Sequence, residues 1–351
     1  MLLCTIGVSV HCIPVKAQDS SLIWLAKHQE KDGHWDSVKY SASKKNDVTA
    51  TSLALLAFLG AGYTEKVGAE LKDNVKRGID WLKQHQTDKG RIFDKTDATG
   101  DFEDGSAICF STLALCEAAA MADVPETRAA AQKAVDFLTN TYPIRSTKNF
   151  EKKEFKMDAK ADTVTASLCV FAMKSAKVAK LNVDSGAFDA ATEYFDSVQY
   201  TAGKGLNSAT YFRFKPKQQN SPEHSAQRLT AAGLVARQFM GWKRADLESG
   251  AANLVEEYGR PEWDKDDVKV DLLCWWITTL CLFQQGGETW SAWSEQLKRE
   301  LISEQRRHND PAGSWDPVGA PGKVWGRVGQ TALAALSLEV YYRYRQLVPE
   351  K

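Results

Sequence analysis

What the chain lacks narrows it before any motif is considered. Its 45 basic and 45 acidic residues cancel, so no overall field draws it toward nucleic acid or an anionic membrane. Beyond the N-terminus no segment runs for the roughly 18 apolar residues that a membrane-spanning helix needs. β-strand alternation is almost absent, and no Pro/Gly/Ser-rich linker divides the chain. The few histidines (His28, His34, His85, His224 and His308 after the first residues) are scattered over helix ends and loops. They form no metal-ligand spacing, and no metal or cofactor is expected.

Cysteine supplies no framework either. Of seven cysteines, Cys4 and Cys12 fall in the N-terminal stretch. Cys109, Cys116, Cys169, Cys274 and Cys281 lie in apolar helical runs. Cys109/Cys116 and Cys274/Cys281 are each two turns apart on one helix face, about 10 Å and beyond disulfide reach. Five buried free thiols acting as small hydrophobes are expected.

What is present is ordinary in bulk: 43% hydrophobic and 26% charged residues over 351 positions, enough for two average domains or one large repeat-built domain. Residues 1–17 are mostly apolar and end Val15-Lys16-Ala17, which signal peptidase could accept. No basic region precedes them, and His11 and Pro14 interrupt the run. The expectation is a leader over 1–17 that exports the protein to the periplasm or outside the cell; a cytoplasmic protein with an apolar tail is the alternative. Residues 18–351 then form one domain.

The template for that domain is Val48-Thr49-Ala50-Thr51-Ser52-Leu53-Ala54-Leu55-Leu56-Ala57-Phe58-Leu59-Gly60, an apolar helix behind Asp47, where an N-cap is expected. Variants recur at Thr51, Ser111, Ser167, Thr230, Trp275 and Thr331, roughly 45 to 63 residues apart, each after a more amphipathic helix. The second helix of each pair is apolar on most faces, as in Leu272-Leu273-Cys274-Trp275-Trp276-Ile277. The first carries a charged side, as in Lys72-Asp73-Asn74-Val75-Lys76-Arg77. Polar helices outside apolar ones imply two concentric layers, and six pairs allow the layer to close. The fold class is all-α.

Three segments share a further pattern. Gln29, Gly33 and Trp35 read Q-x3-G-x-W. Trp81 is followed by Gln86 and Gly90, with Ile92 where the tryptophan would fall. Gln305, Gly313 and Trp315 repeat it with four extra residues. Glutamine can both donate and accept at a helix end, glycine ends the helix, and tryptophan covers the junction. The pattern resembles the QW repeats of squalene cyclases and protein prenyltransferase β subunits. Over almost all of the chain after the leader it is similar to uncharacterised bacterial prenyltransferase and squalene oxidase repeat proteins. That resemblance implies an (α/α)6 toroid with a central cavity, and a structural role for these residues.

The chemistry of such proteins is poorly represented. In register with the cyclase Asp-x-Asp-Asp-Thr-Ala acid motif, this chain reads Asp47-Val48-Thr49-Ala50-Thr51-Ser52, so Thr49 and Ala50 replace the acid pair. A literal Asp-x-Asp-Asp, Asp264-Lys265-Asp266-Asp267, precedes Asp271 without the Thr-Ala. It reads first as a solvated turn and second as a rearranged proton-donating cluster. The prenyltransferase zinc set is missing: Gly329-Gln330 follows Pro321-Gly322-Lys323 where the resemblance asks for histidine. Cys281-Leu282-Phe283-Gln284 lacks the glycines of a thioester site.

Asp47, Asp162 and Asp271 all fall at inner-helix starts. They are either N-caps or a carboxylate ring at one mouth of the barrel, as a glycan-processing toroid would need. The sequence therefore suggests a toroid binding an apolar or extended ligand, an isoprenoid or lipid, or a protein partner. Trp275 and Trp276 would line part of the cavity, with Asp47, Thr51, Asp162, Arg228, Asp271, Arg327 and Gln330 near its mouth. The alternative is an isoprenoid cyclase or transferase using Asp264, Asp266 and Asp267.

Overall fold

Every residue of the template helix, Asp47–Gly60, is buried. Such a helix is stable in water only when other helices surround it. The computed structural model describes residues 12–149, 152–202, 209–218, 223–264 and 269–343. In chain order the helices are α1 (Cys12–Lys27), α2 (Asp47–Gly60), α3 (Lys72–Gln84), α4 (Asp101–Met121), α5 (Pro125–Asn140), α6 (Thr163–Val178), α7 (Ser185–Val198), α8 (Glu223–Phe239), α9 (Arg244–Glu256), α10 (Leu272–Gln285), α11 (Gly287–Glu304) and α12 (Gly319–Arg343).

The even-numbered helices pack in sequence, α2 on α4, α4 on α6, and so on, until α12 packs back on α2. The odd-numbered helices cover them from outside. This is the expected (α/α)6 toroid. Turns from an inner to the next outer helix are short, down to Gly286 alone between α10 and α11. Connections from outer to inner helices are long, and all gather at the N-terminal end of the inner ring.

Two of those connections carry hairpins: β1 (Ile144–Asn149) with β2 (Lys152–Met157), and β3 (Gln199–Ala202) with β4 (Ala209–Phe212). These short hairpins are small additions to the all-α fold that was expected. The strands are short, and in the first hairpin Ile144 and its partner Met157 are buried. Charged residues such as Arg145, Glu154 and Lys156 hide the alternation that one-sided burial would otherwise imprint.

The QW-type residues make the joints between neighbouring outer helices. Gln29 Nε2 donates to the Gly33 carbonyl (2.8 Å) and to that of Asn74 on α3 (2.9 Å). Gln86 spans Gly90 and Ala130 on α5 in the same way (3.3 and 2.9 Å). Gln305 spans Gly313 and Ala17 on α1 (2.8 and 2.7 Å). Each glycine has positive φ and sits on a backbone carbonyl one turn beyond the glutamine's: a Cβ on Gly33, Gly90 or Gly313 would stand 2.3, 2.0 or 2.2 Å from the carbonyl oxygen of Arg77, Lys133 or Ser20. Only glycine fits there. Trp35 and Trp315 donate their indole N–H to Leu25 and Leu301 carbonyls (2.7 Å each). Ile92 fills the corresponding place in the second joint and is buried. Trp81 belongs to α3 instead, stacked between His34 and His85.

The boundary expected at Ala17 falls inside α1. Ala17 is buried, and Gln18 Nε2 donates to Glu339 Oε1 on α12 (3.0 Å). Residues 1–11, including Cys4, lie outside the described residues. The five later cysteines are free and buried, as expected. Burial pushes their thiols up, that of Cys281 to about 12, so they are inert at neutral pH.

The inside of the ring is packed with aromatic side chains. Trp276 on α10 meets Phe110 on α4, the helix diametrically across the ring, at 6.1 Å between centroids, and Phe171 on α6 at 5.7 Å. Phe171 continues to Phe239 of α8 (4.8 Å), and Phe110 to Trp325 of α12 (5.9 Å). The contacts of Trp276 with Phe110 and Phe171, and of Phe110 with Trp325, cross between helices that are not neighbours in the ring, so these rings reach toward its axis. The cavity expected along the axis, with Trp276 as its wall, is replaced among the described residues by this column of rings. Aromatic side chains of this size fill the space that an apolar ligand would otherwise take.

Candidate functional site

Six inner-helix N-termini converge at the open end, each with backbone N–H groups lacking helical partners and with the positive end of the helix dipole. Carboxylates collect there for that reason. Asp162 Oδ1 accepts from Thr165 N (2.8 Å), and Asp271 Oδ1 from Cys274 N (2.9 Å). Both are N-caps. Burial raises the Asp162 pKa against the opposing pull of its bonds to Thr165. Asp271 Oδ2 also pairs with Arg228 Nη1 at 2.8 Å.

Asp47 departs from expectation. It does not cap its own helix; its Oδ1 instead accepts from the Ser37 backbone N–H and hydroxyl, both at 2.8 Å. The start of α2 is capped from the next connection, where the Asp97 carboxylate accepts from Asp47 N (2.9 Å) and Val48 N (3.0 Å). Burial raises the Asp97 pKa despite these bonds, and the nearby Asp47 and Asp94 charges add to the rise.

Asp47, Asp94 and Asp97 each place a carboxylate oxygen within 4.8 Å of the others, close enough to hold a metal ion. The Lys45 ammonium bridges two of the three, 3.3 Å from both Asp47 Oδ2 and Asp94 Oδ2. It also donates to Thr96 Oγ1. An internal cation thus balances the cluster, and Asp47 is wholly inaccessible to solvent.

Beside this cluster a shallow recess, with free room of about 10 Å³, lies between the starts of α2 and α4. Its wall includes Arg91, Phe93, Asp94, Asp97, Glu103 and Asp104. Arg91 Nη2 pairs with Asp104 Oδ1 at 2.7 Å, and the guanidinium lies 4.5 Å from the Phe93 ring centroid. Carboxylates, a guanidinium and an aromatic face thus share one opening.

Toward the axis lies Trp325. Gly326 interrupts α12 with φ 65°, and a Cβ there would strike the Tyr40 and Ser37 carbonyls at 2.5 and 2.7 Å. The break turns the chain just after Trp325, whose indole reaches across to α4. Phe102 stacks on it at 5.7 Å with 19° between planes, and Phe110 meets it edge-on.

The remaining expected site residues that the structure describes make the following contacts. Thr51 Oγ1 accepts from Trp35 N (3.1 Å) and is fully buried. Trp275 is 4% exposed and packs on Trp263 at 6.1 Å rather than lining a cavity. Arg327 pairs with Asp316 (2.7 Å), and Gln330 Nε2 donates to the Val318 carbonyl (3.1 Å). Asp264 is half-buried with other interactions; Asp266 and Asp267 lie outside the described residues.

Sequence reading missed Lys45, Arg91, Asp94, Asp97, Phe102 and Trp325. A local signal existed in Asp101-Phe102-Glu103-Asp104, an acidic run opening an inner helix. Nothing local linked Asp97 to the start of α2.

No protein-family model matches the sequence, and no curated protein matches it. Solved structures match at the level of fold. Glycoside hydrolase family 76 mannosidase Bt3792 from Bacteroides thetaiotaomicron is 13% identical, with TM-score 0.58 over 94% of this chain and 99% of that one. Cellobiose 2-epimerase from Spirochaeta thermophila is 12% identical, with TM-score 0.55 over 94% and 96%. A protein from Actinoplanes is 12% identical, with TM-score 0.50 over 94% and 99%. The resemblance to squalene cyclases therefore holds for the toroid and not for the family.

Proposed function

We propose that the open end binds a polyhydroxylated ligand, a saccharide, across the mouth of the shallow recess between α2 and α4, with one of its hydroxyls entering. The observation that carries this reading is the lining of that recess. Glu103 can accept from hydroxyls, Asp104 can accept through the oxygen not paired with Arg91, and the Arg91 guanidinium, lying over the Phe93 ring, can donate through its remaining N–H groups. The fold shared with a mannosidase and a cellobiose epimerase is compatible with a sugar ligand and adds only that. We assign binding rather than hydrolysis. Asp47 is inaccessible, both Asp97 oxygens are engaged by backbone N–H groups, and no accessible acid and base face each other across a described gap.

The apolar-ligand and isoprenoid readings have less support. Aromatic rings fill the axis where an isoprenoid chain would lie, and Thr49 and Ala50 stand where a cyclase keeps its acid.

Calorimetric titration with D-mannose, D-glucose and cellobiose tests the proposal on the wild type, Glu103→Gln and Asp104→Asn. At least one sugar should bind saturably, and each variant should weaken it about tenfold, the loss of one hydrogen bond to a charged group. Both variants should keep the wild-type melting temperature within a few degrees. Absence of saturable sugar binding, or equal binding by all three proteins, would overturn the proposal. Tight binding of geranylgeranyl diphosphate without sugar binding would restore the isoprenoid reading.

A further inference from the structure

We infer that Phe102 covers a small polar subsite, formed by Trp325 Nε1 and Thr49 Oγ1, that takes one hydroxyl of the ligand. The inference rests on the saccharide reading and extends it inward from the recess.

Both atoms are buried without a hydrogen-bond partner, in residues that are 0% and 1% exposed. Buried polar groups are nearly always satisfied, so each of these orphans points to a missing partner. Their proximity follows from the packing of α2 against α12. A Cβ on Gly329 would stand 3.7 Å from the Leu53 side chain of α2 and 2.4 Å from Trp325 Cβ. Thr49 lies one turn before Leu53 on the same face of α2, and the Trp325 side chain, just before the Gly326 break, folds back over Gly329 and so toward Leu53 and the start of α2.

To reach Phe102 and Phe110 on α4, the Trp325 indole must pass the inner face of α2, which lies between α12 and α4 in the ring. An indole N–H is a pure donor, and a threonine hydroxyl both donates and accepts. Together they complement one neutral hydroxyl and offer nothing to an anion that could not be met better by Arg91. Phe102, the second residue of α4, is half-buried and stacks on the fully buried indole. Rotation of its side chain would uncover the pair without moving a helix.

The test follows the Trp325 indole N–H resonance by nitrogen-15 NMR, assigned by its loss in Trp325→Phe. Thr49→Val keeps the shape of the side chain, so both variants should fold. D-mannose, D-glucose and cellobiose should shift this resonance, and each variant should weaken the bound sugar about tenfold. In Phe102→Ala the indole proton should exchange faster with solvent, and glycerol alone should shift its resonance. Sugar binding that leaves the indole unmoved and is equally strong in Trp325→Phe and Thr49→Val would overturn the subsite while leaving the recess reading intact. A glycerol response in Phe102→Ala without any sugar binding to the wild type would uphold the subsite and sink the recess reading. An indole that stays protected and unshifted in every protein would mean a permanently sealed pair and end the inference.

Discussion

The side-chain amide of Gln305 donates to the backbone carbonyl of Ala17 across 2.7 Å, joining the last outer helix connection to the first outer helix. Trp24 Nε1 reinforces the seam through the Asp310 carbonyl (3.0 Å). This is the point at which the outer layer closes. The same joint, with the same geometry, links α1 to α3 through Gln29 and α3 to α5 through Gln86. Gln305→Ala removes two hydrogen bonds and should cost about 1–3 kcal/mol. Urea unfolding gives the loss. Hydrogen exchange should speed selectively in the α1 amides, because the other joints remain whole.

Thr51 and Thr331 make equivalent contacts sixteen residues after their tryptophans: each hydroxyl accepts from a buried backbone N–H, of Trp35 at 3.1 Å and of Trp315 at 3.3 Å. Thr51→Val and Thr331→Val keep the volume and orphan that donor. Each should lower stability by about 1–3 kcal/mol, and the two should add, since the sites share no partner. Chemical denaturation of the two single variants and the double variant checks this. A neutral result for either would deny the equivalence of the two units.

Gly326→Ala should be among the more damaging single-methyl additions. Its φ of 65° disfavours any side chain, and a Cβ would enter the backbone of the 37–42 segment at 2.5–2.8 Å. A loss of at least about 1–3 kcal/mol is expected. Because the break positions Trp325, near-ultraviolet circular dichroism should change even at temperatures where the variant remains folded.

Asp94 makes stability depend on acid. Burial raises its pKa, but the Thr96 backbone N–H and hydroxyl and the Lys45 ammonium outweigh burial and hold it below the usual 3.8. A lowered folded-state pKa means that the stabilisation is present above 3.8 and is lost as pH falls through the folded value. Asp94→Asn should therefore melt below the wild type at pH 7, and the gap should close as pH drops below 3.8. Melting curves from pH 7 to pH 2.5 on both proteins test this; a gap independent of pH would assign the effect to packing.

The sequence was most legible where one residue type can do one job. Apolar second helices, the glycines at Gly33, Gly90 and Gly313, and the glutamines before them disclosed the layers, the joints and their repetition. Burial of the five cysteines followed from their helical neighbours. Asp162 and Asp271 behaved as the simple N-caps their positions suggested. Asp47 stood in the same sequence position yet turned to Ser37, because Asp97, fifty residues on, took over the cap. A carboxylate near a helix start looks the same in sequence whichever helix it caps.

The axis and the site were less legible for a related reason. Trp276 was expected to wall a cavity, and only the meeting of helices across the ring showed that it packs against Phe110 and Phe171, with Trp325 beyond. By itself the sequence determined the helical pairs, their inside and outside faces, and the number needed to close a ring, since those follow from local periodicity and the burial of apolar faces. The tertiary structure decided which side chains meet where six helix ends converge. Those meetings bring together residues tens to hundreds of positions apart, and their energies depend on distances that no local pattern encodes.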